Sequence, residues 1–343
     1  MVLESIAMEF LGSNILSIDQ FDRKDIDLVF KTADSLLPFA SRQKITRVLQ
    51  GAILSNMFFE PSTRTRISFG SAFNMLGGEV RETTELEATS LAKGESLYDT
   101  SRVLSGYSDV IVMRHPEVGS VAEFADASRV PVINGGDGDN EHPSQALLDL
   151  FTIQKELESH KKDINSARIS LIGDLKFGRA VHSLCKILML YENVSIKLVS
   201  PEKLKLPGFL IDQLKKKSIS FLETSDIKEG ISDVDILYMT RIQEERFQDS
   251  SEASKYKGLM SLNQDIYTKN CEPNTVIMHP LPRDSRADAN ELDEDLNQNP
   301  NLAIYRQTDN GLLIRMALFS LILGVDGKIN ETSSTVNWFS DKS

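Results

Sequence analysis

The sequence predicts an α/β protein of two doubly wound parallel-sheet domains bridged by helices. Three observations predict it. Short apolar strands alternate with stretches of helical period along the chain. The chemistry-bearing residues fall where strands end, which is where open parallel sheets bind ligands. With 343 residues, 41% of them hydrophobic, the chain can bury cores for about two domains.

Each element follows from its pattern. Apolar positions Ile26, Val29, Phe30, Ala33 and Leu37 recur at helical spacing, so residues 22–37 are expected to form an amphipathic helix. AILSNMFF (52–59) is short, apolar and followed by Pro61, which fits a buried strand. After Ser62, a natural N-cap, the period changes. Phe69, Ala72, Phe73 and Leu76 share one helical face, and Gly77-Gly78 closes the helix. DVIVMRHP (109–116) reads as a strand ending on Arg114, and VPVINGGDG (130–138) as a strand entering a Gly/Asp loop. HPSQALLDLFTIQKEL (142–157) begins a helix with Pro143 at its first position, a plausible bridge between domains. ARISLIGD (167–174), VSIKLVSP (194–201), VDILYMTR (234–241) and TVIMHPLP (275–282) read as strands, and RAVHSLCKILMLY (179–191) as a helix. The polar, acidic segment 283–300 is expected to be an exposed connection. NGLLIRMALFSLILG (310–324) is expected to be a buried helix ended by Gly324, and the residues beyond it a mobile tail.

Composition excludes several functions. A net charge of −12 argues against broad nucleic-acid or anionic-membrane binding. Cys185 and Cys271 form no CxxC or Cys/His cluster, which argues for reduced cytosolic thiols and against a structural zinc. The N-terminal stretch lacks the basic and long apolar regions of a secretory signal, and no run of about 18 apolar residues exists.

Five stretches carry chemistry. In Ser62-Thr63-Arg64-Thr65, hydroxyls and an arginine occupy the first turn of a helix, where free N–H groups already favour an anion. An arginine there opposes the helix dipole, a cost that makes sense if an anion arrives. An ordinary Ser-capped helix with surface arginines is the plainer alternative. His142 and Gln145 lie one turn apart at a helix start, downstream of Asp137, Gly138 and Asn140, and could face one cleft; a capping histidine would look the same. GDLKFGRAVH has the look of a nucleotide-binding turn, with Glu202 placed as an NAD-binding acid would be. However, Gly173 and Gly178 lack the G-x-G-x-x-G spacing, and Leu175 and Phe177 would block a pyrophosphate. Arg179, at the next helix start, is another cation where an anion belongs. Arg241 and Gln243 face the same way in extended chain and could clamp a carboxylate, or form a solvated loop. HPLP (279–282) places Leu281 between two prolines, a rigid loop rich in carbonyl acceptors, or simply a strand terminator. With Arg114 these groups suit a reaction between two anionic small molecules, driven by charge neutralisation and orientation.

FFEPSTRTRISF, VMRHP, GDGDNEHPSQALLDLFTI, GDLKFGR, ILYMTRIQEERF and IMHPLPR, in this order, resemble the catalytic chains of the aspartate carbamoyltransferase family. The resemblance runs from about Asn14 to Gly324. It implies transfer of the carbamoyl group of carbamoyl phosphate to the amine of L-aspartate in pyrimidine biosynthesis, in the cytoplasm, with no metal and no organic cofactor. It implies a carbamoyl-phosphate-binding domain of residues 1–150 plus 307–343 and an aspartate-binding domain of 151–306. Ser62, Thr63, Arg64, Thr65 and Arg114 would hold the phosphate. Thr65, Arg114 and His142 would polarise the carbamoyl oxygen, and Gln145 with the carbonyls of Pro280 and Leu281 would accept from its NH2. Arg179 would bind the α-carboxylate of aspartate, and Arg241 with Gln243 the β-carboxylate. Ser90 and Lys93, in TSLAKGES, would enter the neighbouring subunit's site, which implies a homotrimer; some relatives have one more residue between the two. Glu60 would pair with Arg179 or Arg246 as the domains close. A regulatory chain is possible. Ornithine carbamoyltransferases share the phosphate segment but carry S-M-G and H-C-L-P where this chain has TRIQ and HPLP. An arginine there suits a carboxylate and repels the ornithine ammonium. A non-catalytic homologue and an NAD-dependent dehydrogenase are the alternatives from other classes.

Overall fold

The computed structural model describes residues 9–84, 94–247, 249–286 and 288–338. The chain divides into two units, Met1–Leu147 with Asn310–Ser343, and Leu148–Asp309. In the first unit, β1 (Lys44–Ile45) is followed by β2 (Ile53–Phe58), β3 (Glu79–Thr83), β4 (Val110–His115) and β5 (Val132–Asp137), and helices separate the last four from one another. β2 to β5 form a parallel sheet in the order β3-β2-β4-β5. The central strands β2 and β4 are buried almost throughout, as their continuous apolar runs require. Met57, Ile111, Met113, Phe124 and Val132 pack on one face. On the helix Thr63–Met75, Phe69 and Phe73 pack edge-on against Phe319 at 5.9 and 5.0 Å. Each such buried ring contributes about 1.5–3 kcal/mol.

The second unit holds β6 (Arg168–Ile172), β7 (Ser195–Val199), β8 (Ser220–Thr224), β9 (Ile236–Met239) and β10 (Val276–Met278), all parallel in the order β10-β9-β6-β7-β8. Ile172, Leu237, Met239, Ile277, Leu292 and Leu296 lie in its core. Strand order reverses between β2 and β4 in the first sheet and between β6 and β9 in the second. Neighbouring loops leave in opposite directions at such points and open a crevice for ligands.

Several elements differ from expectation. The helix expected at 22–37 ends at Ser35, and a short helix follows at Leu37–Ala40. Pro38 has no N–H to continue the ladder, and its ring crowds the preceding turn. The helix expected at 310–324 starts earlier and spans Ile304–Ile322. The segment 283–300 is not simply exposed: Ala289, Glu291, Leu292 and Leu296 are buried. Beyond Gly324 the chain is tied down in part. Ile329 is buried, its carbonyl accepts from Thr46 Oγ1 at 2.8 Å, and β11 (Ser334–Thr335) pairs antiparallel with β1. β3 and β8 escaped the sequence reading, because these edge strands are largely polar and mostly solvent-facing. No described helix is long and apolar enough to cross a membrane.

Candidate active site

In the first unit the site is built at the reversal between β2 and β4. Phe58 and Arg114 are register partners at the ends of these strands. Arg114 therefore emerges beside the turn Glu60-Pro61-Ser62 that begins the helix Thr63–Met75. Its Nε donates to Glu60 Oε2 at 2.8 Å, and its Nη1 to Ser62 Oγ at 3.2 Å. Ser62 holds the N-cap position with extended backbone, but its side chain makes no capping bond to the helix. The expected cap is a correct position with a different partner, and the hydroxyl is committed to Arg114. Thr63 and Arg64 are exposed in the first turn, and Thr65 is half-buried. Arg66 points elsewhere, pairing with Glu82, whose other oxygen accepts from Asn56 Nδ2 at 3.1 Å.

The loop that carries His142 is shaped by glycine and by two acids. β5 has one residue more than β4 between Met113 and His115, a bulge at Gly135-Gly136. Gly136 has φ +118, a conformation other residues rarely adopt. The bulge delivers Asp137 into the loop, where its carboxylate accepts from Asn134 Nδ2, the Gly119 and Glu141 amides and Asn140 Nδ2 at 2.9–3.2 Å. Glu141 in turn accepts from Ser17 Oγ and the Ile18 amide, both at 2.8 Å. His142, buried, enters the helix Pro143–Ser159 from this rigid loop, and Gln145 is half-buried in its first turn.

In the second unit the loops after β6 and β9 meet at the other reversal. Asp174 joins them. Its Oδ1 accepts from the Lys176 and Phe177 amides at 3.1 and 3.0 Å, and its Oδ2 from the Gln243 amide at 3.1 Å. Burial pushes the Asp174 carboxyl up from its ordinary pKa, against the pull of these three donors and His182. Gly173, at φ +119, permits the approach: a Cβ there would lie 2.1 Å from the Thr240 carbonyl oxygen. Arg179 starts the helix Arg179–Leu188, whose N-cap Gly178 leaves no room for a side chain beside the Asp174 carbonyl. Arg241 forks onto Glu245, Nη2 to Oε1 at 2.5 Å and Nη1 to Oε2 at 3.1 Å. Burial alone would raise the Glu245 carboxyl, but the Arg241 fork outweighs it and lowers it. Arg246 lines a 520 Å³ cavity with Lys176, Phe177, Phe247 and Tyr256. The HPLP loop follows β10. Its His279 is fully buried, and burial lowers the His279 pKa against the pull of Glu291.

The structure thus brings Glu60, Ser62 and Arg114 together in one unit, and the Arg179 turn with the Arg241-Gln243 loop in the other. Ser90 and Lys93 lie outside the described residues. The described residues contain no group of three metal-ligating side chains. Sequence reasoning missed Asp174, which sits inside a motif judged for glycine spacing, and Glu291, one acid within an acidic run. It also missed Arg315, which donates to Ser68 Oγ at 2.7 Å and covers the Phe69 ring at 4.9 Å, bracing the Ser62 helix.

Two family descriptions match the chain: "Aspartate/ornithine carbamoyltransferase, carbamoyl-P binding domain" over residues 13–155, and the corresponding "Asp/Orn binding domain" over residues 165–322. The aspartate carbamoyltransferase catalytic subunit of Saccharophagus degradans is 65% identical over 332 residues, 97% of this chain and 98% of that one. That of Cellvibrio japonicus is 63% identical over 333 residues, with the same coverage. Among solved structures, the aspartate transcarbamoylase of Trypanosoma cruzi in complex with carbamoyl aspartate and phosphate matches with TM-score 0.82 and 35% identity. The match covers 94% of this chain and 100% of that one. The catalytic subunit of the M. jannaschii enzyme matches with TM-score 0.81 and 41% identity, covering 92% and 100%.

Proposed function

The chain belongs to the aspartate/ornithine carbamoyltransferase family, and from that premise we infer how its own residues work. It transfers the carbamoyl group of carbamoyl phosphate to the amine of L-aspartate, giving N-carbamoyl-L-aspartate and phosphate. The observation that carries the residue assignment is the convergence of Arg114 and Ser62 at a helix start and a sheet reversal. Backbone amides, hydroxyls and guanidinium groups meet there, the donor set that a phosphate needs.

Ser62, Thr63, Arg64 and Thr65 hold the phosphate with Arg114. Thr65, Arg114 and His142 donate to the carbamoyl oxygen and stabilise the charge it gains as the tetrahedral intermediate forms. Gln145 and the carbonyls of Pro280 and Leu281 accept from the carbamoyl NH2. The unit Leu148–Asp309 binds aspartate. Arg179 takes the α-carboxylate, and Arg241 with Gln243 the β-carboxylate. That Arg241 already forks onto a carboxylate, that of Glu245, supports this assignment. The amine nitrogen attacks the carbamoyl carbon, the bond to the phosphate oxygen breaks, and the departing phosphate accepts the amine proton. Ser90 and Lys93 complete the site of a neighbouring subunit in a homotrimer. Glu60 and Arg246 serve domain closure, so Glu60 exchanges its present partner Arg114 during turnover. The enzyme acts in the cytoplasm, in pyrimidine biosynthesis, and a regulatory chain can join the trimer. Steady-state assays with carbamoyl phosphate and either L-aspartate or L-ornithine test the reading. Turnover of ornithine in place of aspartate would overturn it.

A further inference from the structure

We propose that Glu291 is a positioning residue for the carbamoyl NH2: through His279 it fixes the loop whose Pro280 and Leu281 carbonyls select a carbamoyl group. The proposal rests on the reading that these carbonyls accept from carbamoyl phosphate. Glu291 grips the loop at two places. Its Oε1 and Oε2 accept from the Asp284 amide at 3.1 and 3.3 Å. Its Oε1 also lies 2.8 Å from His279 Nε2, within ion-pair distance but not aligned as a hydrogen bond. The other ring nitrogen, Nδ1, accepts from the Leu281 amide at 2.8 Å. An Nδ1 that accepts must carry the lone pair, so His279 is neutral with its proton on Nε2, facing the carboxylate.

The sequence makes this contact decisive. Pro280 and Pro282 have no N–H, so Leu281 owns the one amide hydrogen between them, and His279 takes it. Leu281 also sits at φ +58, left-handed backbone that costs a non-glycine residue about 1–2 kcal/mol. Such a conformation persists when its surroundings over-determine it. Here they do. The His279 amide donates to Gln307 Oε1 at 3.0 Å, and Gln307 Nε2 donates to Asp149 Oδ1 at 2.6 Å. Tyr238 secures Asp149 by donating to its Oδ2 at 2.6 Å. That chain fixes the backbone of His279, while Glu291 fixes its ring and tautomer. Without the carboxylate, an Nδ1–H tautomer becomes available. It would set two donors against each other at Leu281 and turn the carbonyls away from the substrate.

The test compares carbamoyl phosphate with acetyl phosphate, which replaces NH2 by a methyl group and has nothing to donate to the loop. Dissociation constants of both are measured for the full-length protein and for Glu291→Ala and Glu291→Gln. The wild type is expected to prefer carbamoyl phosphate. Glu291→Ala is expected to weaken carbamoyl phosphate about tenfold and acetyl phosphate less than about twofold. Glu291→Gln keeps an acceptor opposite Nε2 and should restore most of the preference. No preference in the wild type would overturn the carbamoyl-phosphate reading itself. A preference retained in Glu291→Ala, or an equal loss for both ligands, would overturn the positioning role alone. Nitrogen NMR of His279 in the wild type supplies a readout independent of the variants folding. An imidazolium, or a proton on Nδ1, would refute the proposal.

Discussion

Replacing Asp174 by Asn separates function from stability at one atom. The Asn oxygen can keep the Lys176 and Phe177 amides, now 3.1 and 3.0 Å from Oδ1. Its NH2 then occupies the Oδ2 place and faces the Gln243 amide, donor against donor, where a 3.1 Å bond stands now. Losing that bond and stranding its donor costs about 1–3 kcal/mol locally. The loop that presents Arg241 and Gln243 thereby loses its tie to the turn before Arg179. If that cost is charged to aspartate binding, the KM for aspartate rises about 5- to 150-fold, since about 1.4 kcal/mol is a factor of ten. The KM for carbamoyl phosphate should hardly move. Stability should follow a different course. The folded-state pKa of Asp174 is raised, so its ionised form is disfavoured by folding above the unfolded pKa, and the charge is a net burden at neutral pH. Asn removes that burden, so the melting temperature at pH 7 should shift by no more than about 4 °C. The assay varies aspartate at saturating carbamoyl phosphate beside a thermal melt. An unchanged aspartate KM, or an equal rise in both KM values, would refute the argument.

Asp235 should show the opposite linkage. Burial raises its carboxyl, but Arg168 and Lys162 outweigh burial and hold it at about 2. Its contribution is therefore complete above the unfolded pKa near 3.9 and is lost as pH falls toward 2. Asp235→Asn should lower stability by about 1–2 kcal/mol at pH 7, after allowance for the partly exposed partners. The difference from wild type should shrink in denaturant titrations as pH falls from about 4 and vanish only below about pH 2; a constant difference would contradict the pairing. Gly173→Ala places a methyl against the Thr240 carbonyl at positive φ, and should cost about 2–4 kcal/mol in urea unfolding. A cost below about 1 kcal/mol would show that the β6 loop yields easily. Arg64→Ala should lose phosphate affinity and most of kcat, and near-wild-type kinetics would remove the helix-start anion site.

The residues proposed to bind anions stood out in the sequence because they break local rules. Arginine at a helix start opposes the helix dipole, which marks a candidate site before any contact is known, whereas the two glycines before Asp137 read only as a strand entering a loop. The acids that organise the site broke no rule. Asp174 lies where a loop should begin, and Glu291 in a run whose average composition says solvent. What distinguishes Glu291 is burial beside His279, which depends on where Leu292 and Leu296 enter the core of the second unit. No local pattern encodes that placement. Edge strands were missed for a related reason. With outer positions in water, EVRET and SFLET need only backbone pairing with β2 and β7, and carry little apolar signal.

The two sheet reversals use acids in two ways. At one extreme, Asp174 receives only backbone amides and sets loop geometry, so its charge never competes with a substrate. Glu60 and Glu245 instead hold the guanidinium groups of Arg114 and Arg241, the groups assigned to phosphate and to the β-carboxylate. A partly buried arginine without a counterion would carry a desolvation cost of several kcal/mol. An internal carboxylate offsets it, and a substrate anion that displaces the carboxylate gains only the difference between two similar pairs. Binding is then weaker than contact counting suggests, and discrimination shifts to geometry. Within each unit, the anion that competes well is the one whose shape matches the donors around it. This accounts for acids within a cationic site. They lower affinity for single anions and leave selectivity to the pair of substrates that the reaction joins.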